Sequence, residues 1–284
     1  MSSPVACKFV DFWPFFTLES SLLYQTLTKN FDLVLSDDPE YLIYSVFGGQ
    51  HLFDPRYERC IKVMVTGENV RPNFKNCDYA LSFDYLDDPR HLRWPLFAQS
   101  AAALVRPSDQ DVAAIAAGKT KFCNFLYSNG CCRERNDFFD LLSAYKQVDS
   151  GGAVKNNLGF TVGERTRGGY NLASKRVFQS EYKFTIAFEN ASRDGYVTEK
   201  LIDAYAGLTV PIYSGDISVI DDFNWEAFLN YQDAREMDYF VRNVKGLDED
   251  LESYRHIYEQ PLLKEEPSLN EAIAFVMNAT MRMK

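Results

Sequence analysis

The 284-residue chain is short of the residues from which many simple sites are assembled. It has three histidines and six cysteines, and Cys7, Cys60, Cys77, Cys123, Cys131 and Cys132 form no C-x-x-C pair, so no zinc site is expected. The adjacent Cys131 and Cys132 read most simply as reduced thiols of a cytosolic protein. No run of about 18 apolar residues occurs, and the opening MSSPVACKFVDFWPFF lacks a charged n-region, an apolar core and a cleavage site. Membrane spanning and secretion are therefore not expected, and the expected location is cytoplasmic, with a peripheral position at the inner membrane face left open. Positive charge is scarce as well. A net charge of −10 argues against a nucleic-acid partner, because such binding rests on neutralising phosphates with Lys and Arg.

Phosphate and cofactor fingerprints are equally thin. Gly48–Gly49, Gly151–Gly152 and Gly168–Gly169 never complete G-x-G-x-x-G, which excludes a nicotinamide-cofactor fingerprint. Gly118-Lys119-Thr120 looks like the end of a P-loop, but Ala113 stands where a glycine is needed and an Ala-rich helix precedes it, so it reads as a helix terminus. Asp109-Gln110-Asp111 and Asp248-Glu249-Asp250 fit an acidic D-x-D pattern, yet both read as helix starts, where acids favour the dipole. Neither is assigned to a metal.

What is present is an ordinary globular composition, 46% hydrophobic and 25% charged, long enough for two medium domains or one large one. Short apolar runs at Lys8–Phe12, Asp32–Leu35, Leu42–Val46, Ile61–Thr66 and Tyr79–Phe83 alternate with helical or turn-rich stretches, a βα pattern that implies a largely parallel sheet. Ala98 to Gly118 reads as a helix closing this first part. Phe122–Tyr127 then opens a second sheet, followed by a helix marked by Phe138, Leu141, Leu142 and Tyr145. The expected domains are residues 1–117 and 118–284, the second ending in a helix with Leu269, Ile273, Val276 and Met277 on one face.

The most informative stretch is KFTIAFENASRDGYVTEKLIDAYAGLTVPIYSGD, Lys183 to Asp216. Phe184, Ile186 and Phe188 alternate as in a strand, and Val197, Leu201, Ala204 and Tyr205 recur at helical spacing, so polar residues Glu189 to Lys200 lie at a strand-to-helix junction. Ligands of open α/β sheets collect at such carboxyl ends of strands. Lys200 in the helix's first turn opposes the macrodipole and asks for a compensating anion, which a bound phosphate would supply.

This stretch resembles the signature of the α1,3-fucosyltransferases, in which an FEN element precedes a Y-[VI]-T-E-K helix start and a [VI]-P-[IV] strand. TGENVRPNF at Thr66 to Phe74, CDYALSFD at Cys77 to Asp84, an SN…RN element from Ser128 to Asn136 and GGAVKNNLG at Gly151 to Gly159 match in order. The likeness covers most of Ile61 to Phe223 and is nearest to the bacterial, Lewis-antigen branch. It implies an α/β fold of two Rossmann-like domains facing a cleft, the glycosyltransferase B arrangement. It also implies an inverting transfer of fucose from GDP-fucose to the glucosamine 3-hydroxyl of a Galβ1-4GlcNAc-type oligosaccharide, of the kind carried by lipopolysaccharide or glycoprotein. Bacterial relatives often carry heptad repeats and a basic tail; none is seen up to Lys284, so dimerisation and membrane docking through such a tail are not expected, and the oligomeric state stays open.

The chemistry asks for a base at the acceptor hydroxyl and for positive charge at the departing diphosphate. Glu68, after the apolar strand and Gly67, is the candidate base, and the resemblance assigns that role to it; capping a turn or pairing with Arg71 is the bland alternative. Arg135 and Lys200 are the diphosphate candidates, against a reading in which Arg133 and Arg135 are solvated and pair with Glu134 or Asp137. Glu199 and Asn190 are candidates for donor hydroxyls, Tyr196 for stacking on guanine or bonding a hydroxyl, with helix-start acid, loop satisfaction and packing as their respective alternatives. Glu189 reads as structural. Trp13, with Phe12, is a candidate platform for an acceptor sugar, although core packing would serve equally. No cofactor is demanded, and added manganese is expected at most to stimulate. The alternatives are another nucleotide sugar, α1,4 regiochemistry, or a silent glycan- or nucleotide-binding scaffold.

Overall fold

A computed structural model describes residues 4–14, 16–100, 112–163, 172–233, 236–267 and 275. Its packing divides the chain into two compact units, the first built on residues up to Gln99 and the second on those from Ser100 to Glu266.

The first unit is one six-stranded sheet of β1 (Val5–Val10), β2 (Leu33–Leu35), β3 (Tyr41–Tyr44), β4 (Ile61–Val65), β5 (Tyr79–Ser82) and β6 (His91–Arg93). The order is β2-β1-β3-β4-β5-β6, with every pairing parallel. A parallel sheet is covered on both faces, so its central strands read as unbroken apolar runs. All four residues of β3, YLIY, are accordingly buried. The helix Leu22–Asn30 returns the chain from β1 to β2, started by Ser21, whose hydroxyl accepts the Tyr24 N–H at 3.5 Å.

The second unit holds β7 (Lys121–Phe125), β8 (Val148–Ser150), β9 (Tyr182–Phe188), β10 (Val210–Ser214) and β11 (Leu229–Asn230), again all parallel, in the order β11-β10-β9-β7-β8. Its core joins Phe122, Phe125, Phe138, Phe184, Phe188, Ile212, Phe240 and Tyr254, all buried. The expected α/β chain with two parallel sheets is what the structure contains.

Several local expectations are corrected. The division falls before the expected boundary at Gly118, because the helix Val112–Ala117 packs on the helix Leu251–Glu259 and Ala116 sits in the second unit's core. In the helix Arg133–Tyr145, Phe139 rather than Leu141 shares the buried face with Phe138 and Leu142. Asp248 and Glu249 end the helix Met237–Glu249 instead of starting one; only Asp250 starts a helix, accepting the Glu252 and Ser253 N–H groups. Gly118 does end a helix, its N–H returning to Ala114 and Ile115. The expected C-terminal helix at Leu269–Met277 and the Asp109–Asp111 pattern lie outside the described residues, Phe275 alone excepted.

Candidate functional site

In the second sheet the strand order reverses between β7 and β9: the chain runs outward from β7 to β8 and then outward on the other side through β9, β10 and β11. Beyond the carboxyl ends of strands at such a reversal, open α/β sheets form their ligand crevice. The polar residues of this unit gather there.

Tyr127, just past β7, spans the gap. Its hydroxyl donates to the carbonyls of Ile186 at 2.9 Å and Phe188 at 3.1 Å, binding the ends of β7 and β9 together. Burial pushes the Tyr127 phenol up, so it stays a neutral donor. Over its ring lies the Arg135 guanidinium, 3.7 Å from the ring centre. Arg135 lies in the first turn of the helix Arg133–Tyr145 and is wholly buried. Its Nη1 donates to the Phe188 carbonyl at 3.4 Å and to Asn190 Oδ1 at 2.8 Å, its Nη2 donates to the Asn129 carbonyl, and its Nε has no hydrogen-bond partner. None of the ion pairs among the described residues includes Arg135, so carbonyl dipoles and an aromatic face surround this cation. Arg133 differs: its side chain is 93% exposed and pairs with Asp137, the solvated arrangement.

The residue after β9, Glu189, has a fully buried carboxylate. It accepts the Thr198 N–H at 2.8 Å, contacts the Thr198 hydroxyl at 2.8 and 2.9 Å, and accepts Lys200 Nζ at 2.8 Å. Lys200 Nζ also donates to Thr198 Oγ1 at 2.7 Å and lies 3.9 Å from Glu199. Burial opposes charge on Lys200, but the Glu189 and Glu199 carboxylates outweigh it and hold the ammonium above its ordinary value. Burial likewise works against the Glu199 carboxylate; Lys200 and Lys175 reverse that and hold it below the usual carboxylate range. The anion that the sequence asks for beside Lys200 is thus furnished by Glu189.

Arg135 and Lys200 therefore converge on three consecutive residues, Phe188 to Asn190, at the end of β9, and Glu199 adjoins them through Lys200. Asn190 is exposed and Glu199 half-buried. Tyr196 is 4% exposed, so its ring is packed inside the unit. Tyr127 and Thr198 are the members that sequence reasoning missed; each reads as an ordinary strand or helix terminus until the register of β7 on β9 is known.

Glu68 stands apart in the first unit, exposed on the turn after β4. Its N–H donates to Thr66 Oγ1 at 3.0 Å and its carbonyl accepts the Val70 N–H at 2.7 Å. A Cβ on Gly67 would meet Leu96 Cβ at 2.8 Å, which is why glycine precedes it. Neighbouring Arg71 donates to the buried Asp84 at 2.7 Å. Trp13 is 42% exposed, edge-on to Phe16 and Phe47.

Comparison with known proteins gives consistent likenesses. Residues 7–99 match the alpha-(1,3)-fucosyltransferase FucT N-terminal domain, and residues 116–260 match the glycosyltransferase family 10 (fucosyltransferase) C-terminal domain. The chain is similar to alpha-(1,3)-fucosyltransferase FucT of Helicobacter pylori, 34% identical over 281 residues, 86% of this chain and 57% of that protein. It is also similar to alpha-(1,3)-fucosyltransferase fut-6 of Caenorhabditis elegans, 33% identical over 157 residues, 52% of this chain and 38% of that one. The chain thus spans little more than half the length of the first of these relatives. A crystal structure of alpha1,3-fucosyltransferase with GDP-fucose superimposes with a TM-score of 0.80 and 27% identity, covering 99% of this chain and 93% of that one.

Proposed function

The chain belongs to glycosyltransferase family 10, the fucosyltransferases, and from that premise we propose that it is an inverting α1,3-fucosyltransferase using GDP-fucose. The acceptor is a Galβ1-4GlcNAc-type glycan, fucosylated on the glucosamine 3-hydroxyl. The observation that carries this reading is the buried guanidinium of Arg135, surrounded by carbonyls and an aromatic ring beside the Lys200 knot at the β7–β9 reversal. Burying a charge without a counter-charge is expensive, and a diphosphate at this place supplies one. Arg135 brings a fork matched to phosphate oxygens and Lys200 a point charge, both fixed before the donor arrives.

Charge builds on the diphosphate as the bond to fucose breaks. Preorganised cations stabilise it there without reorganisation during the step. Asn190, whose Oδ1 is held by Arg135, presents its amide to donor hydroxyls, and Glu199 accepts from them. Tyr196 shapes the site through packing. Glu68 takes the proton from the attacking acceptor hydroxyl, so that a β-linked donor gives an α-linked product. The cations do the work that a metal does in other transferases, and no cofactor is required.

Arg135→Lys tests this directly, because it keeps the charge and removes the fork. Calorimetry should show GDP affinity reduced about 10-fold or more, in keeping with loss of a charge-assisted hydrogen bond of about 1.5–3 kcal/mol, while circular dichroism stays that of the parent. GDP bound as tightly by a folded variant would move the diphosphate elsewhere.

A further inference from the structure

The first sheet has its own reversal of strand order, between β1 and β3. The residues just beyond these two strands form a compact constellation with no part in the proton transfer or diphosphate binding described above. Asp11 follows β1 in the left-handed region, with φ of 57°. Its carbonyl accepts the N–H of Phe47, which lies beyond β3, at 3.0 Å. Its side chain is 6% exposed, with Oδ1 on His51 Nδ1 at 2.9 Å and Oδ2 enclosed without a hydrogen-bond partner. Gly48 lies directly on this carboxylate, since a Cβ there would come within 2.4 Å of Asp11 Oδ1. One half of a glycine pair that belongs to no nucleotide fingerprint thus has a steric reason.

A buried carboxylate on one ring nitrogen fixes an imidazole's tautomer and orientation and leaves the other nitrogen for a ligand. The His51 side chain is 38% exposed, so Nε2 is the nitrogen left to serve that role. The segments that carry Asp11 and His51 also carry two part-exposed rings, Trp13 at 42% and Phe47 at 46%, with centroids 6.1 Å apart and inclined at 71°, while the His51 ring itself lies 6.3 Å from that of Tyr57. Rings this open at the end of a parallel sheet are poor core and good ligand wall. A pyranose offers the matching chemistry, an apolar C–H face for the rings and a hydroxyl for an oriented imidazole.

We propose that His51, oriented by Asp11, together with Trp13 and Phe47 on the same two segments, forms a saccharide subsite for the acceptor at the β1–β3 reversal. His51 touches a sugar hydroxyl, and Asp11 is a positioning residue acting through it. The choice of ligand class rests on the fucosyl-transfer reading, so the test measures saccharide binding separately from turnover.

N-acetyllactosamine is titrated by ligand-observed NMR against the full chain loaded with GDP, and against His51→Ala, His51→Gln, Asp11→Asn and Phe47→Ala. Asn tolerates positive φ better than most residues, so Asp11→Asn keeps the turn while weakening the hold on His51. Saccharide affinity should fall about 3- to 10-fold in His51→Ala and Asp11→Asn, as expected for one neutral hydrogen bond. It should fall similarly in Phe47→Ala and be partly retained in His51→Gln, with GDP affinity unchanged in all. In transfer assays the His51 and Asp11 variants should raise the acceptor KM and largely keep kcat. Parent-like saccharide affinity in folded His51→Ala, no saccharide binding by the parent chain, or a collapse of kcat at unchanged affinity would each overturn the subsite. Failure of the parent chain to consume GDP-fucose would count against fucosyl transfer alone, because the titration needs no turnover.

Discussion

Lys200 stands against a carboxylate that has no exposure of its own, which changes what its removal does. From its place in the sequence, Lys200→Ala would be expected to weaken GDP binding much more than it alters folding. With Glu189 bonded to Thr198, and with Lys200 its charged partner among the described residues, the variant strands a buried anion. Breaking one side of such a pair costs about 3–5 kcal/mol. Lys200→Ala should therefore lower both GDP affinity and thermal stability, and adding Glu189→Gln should restore most of the stability while leaving GDP binding weak. Melting curves with parallel GDP titrations separate the two effects. A single variant as stable as the parent would mean that the carboxylate is relieved in some other way. The same contrast explains what was legible here: the T-E-K helix start placed Glu199 and Lys200, whereas the pairing with Glu189, eleven positions back, depended on where the loop returns.

At the level of elements, one side chain pins three of them. Asp248, at the end of the helix Met237–Glu249, accepts Lys183 Nζ from β9 at 2.7 Å, and Lys146 Nζ at 3.1 Å and Tyr145 Oη at 3.0 Å from the end of the helix Arg133–Tyr145. Burial alone would raise its carboxyl, but the hydrogen bonds from Lys183 and Lys146 outweigh it and hold the group below its ordinary value of 3.8. A carboxyl depressed on folding contributes stability that is present above the unfolded value and lost as pH falls through the folded one. The parent should therefore exceed Asp248→Asn in urea unfolding by its widest margin near neutrality, with the gap closing below about pH 3.8. A gap that stays constant down to pH 3 would remove the charge from the account. Nothing in D-E-D announced this role, and the pattern suggested only helix starts. Long strands fared better. The alternation in Lys183–Phe188 and the apolar run after Cys60 marked β9 and β4 within a residue or two. The three-residue β6 and β8 had too few positions to show a period of two.

Across the whole molecule, each of the two sheets reverses strand order once and gathers polar groups at that reversal. Strand order is not written in a single sequence, so the Asp11–His51 pair, forty positions apart, could not be read, although Trp13 beside it was singled out. The candidate base and the candidate diphosphate cations lie in different units, and this separates their effects. Glu68→Ala should lower turnover at least about 100-fold, the scale of a lost general base, with GDP affinity unchanged. The parent chain, given GDP-fucose and N-acetyllactosamine, should place fucose on the glucosamine 3-hydroxyl at a rate that survives EDTA, as the role proposed for Arg135 and Lys200 at the leaving diphosphate requires. Product linkage by NMR with kinetics in and out of chelator checks both statements in one series. Parent-like turnover in Glu68→Ala would send the proton to another group, and loss of transfer on chelation would show that two fixed cations are not enough.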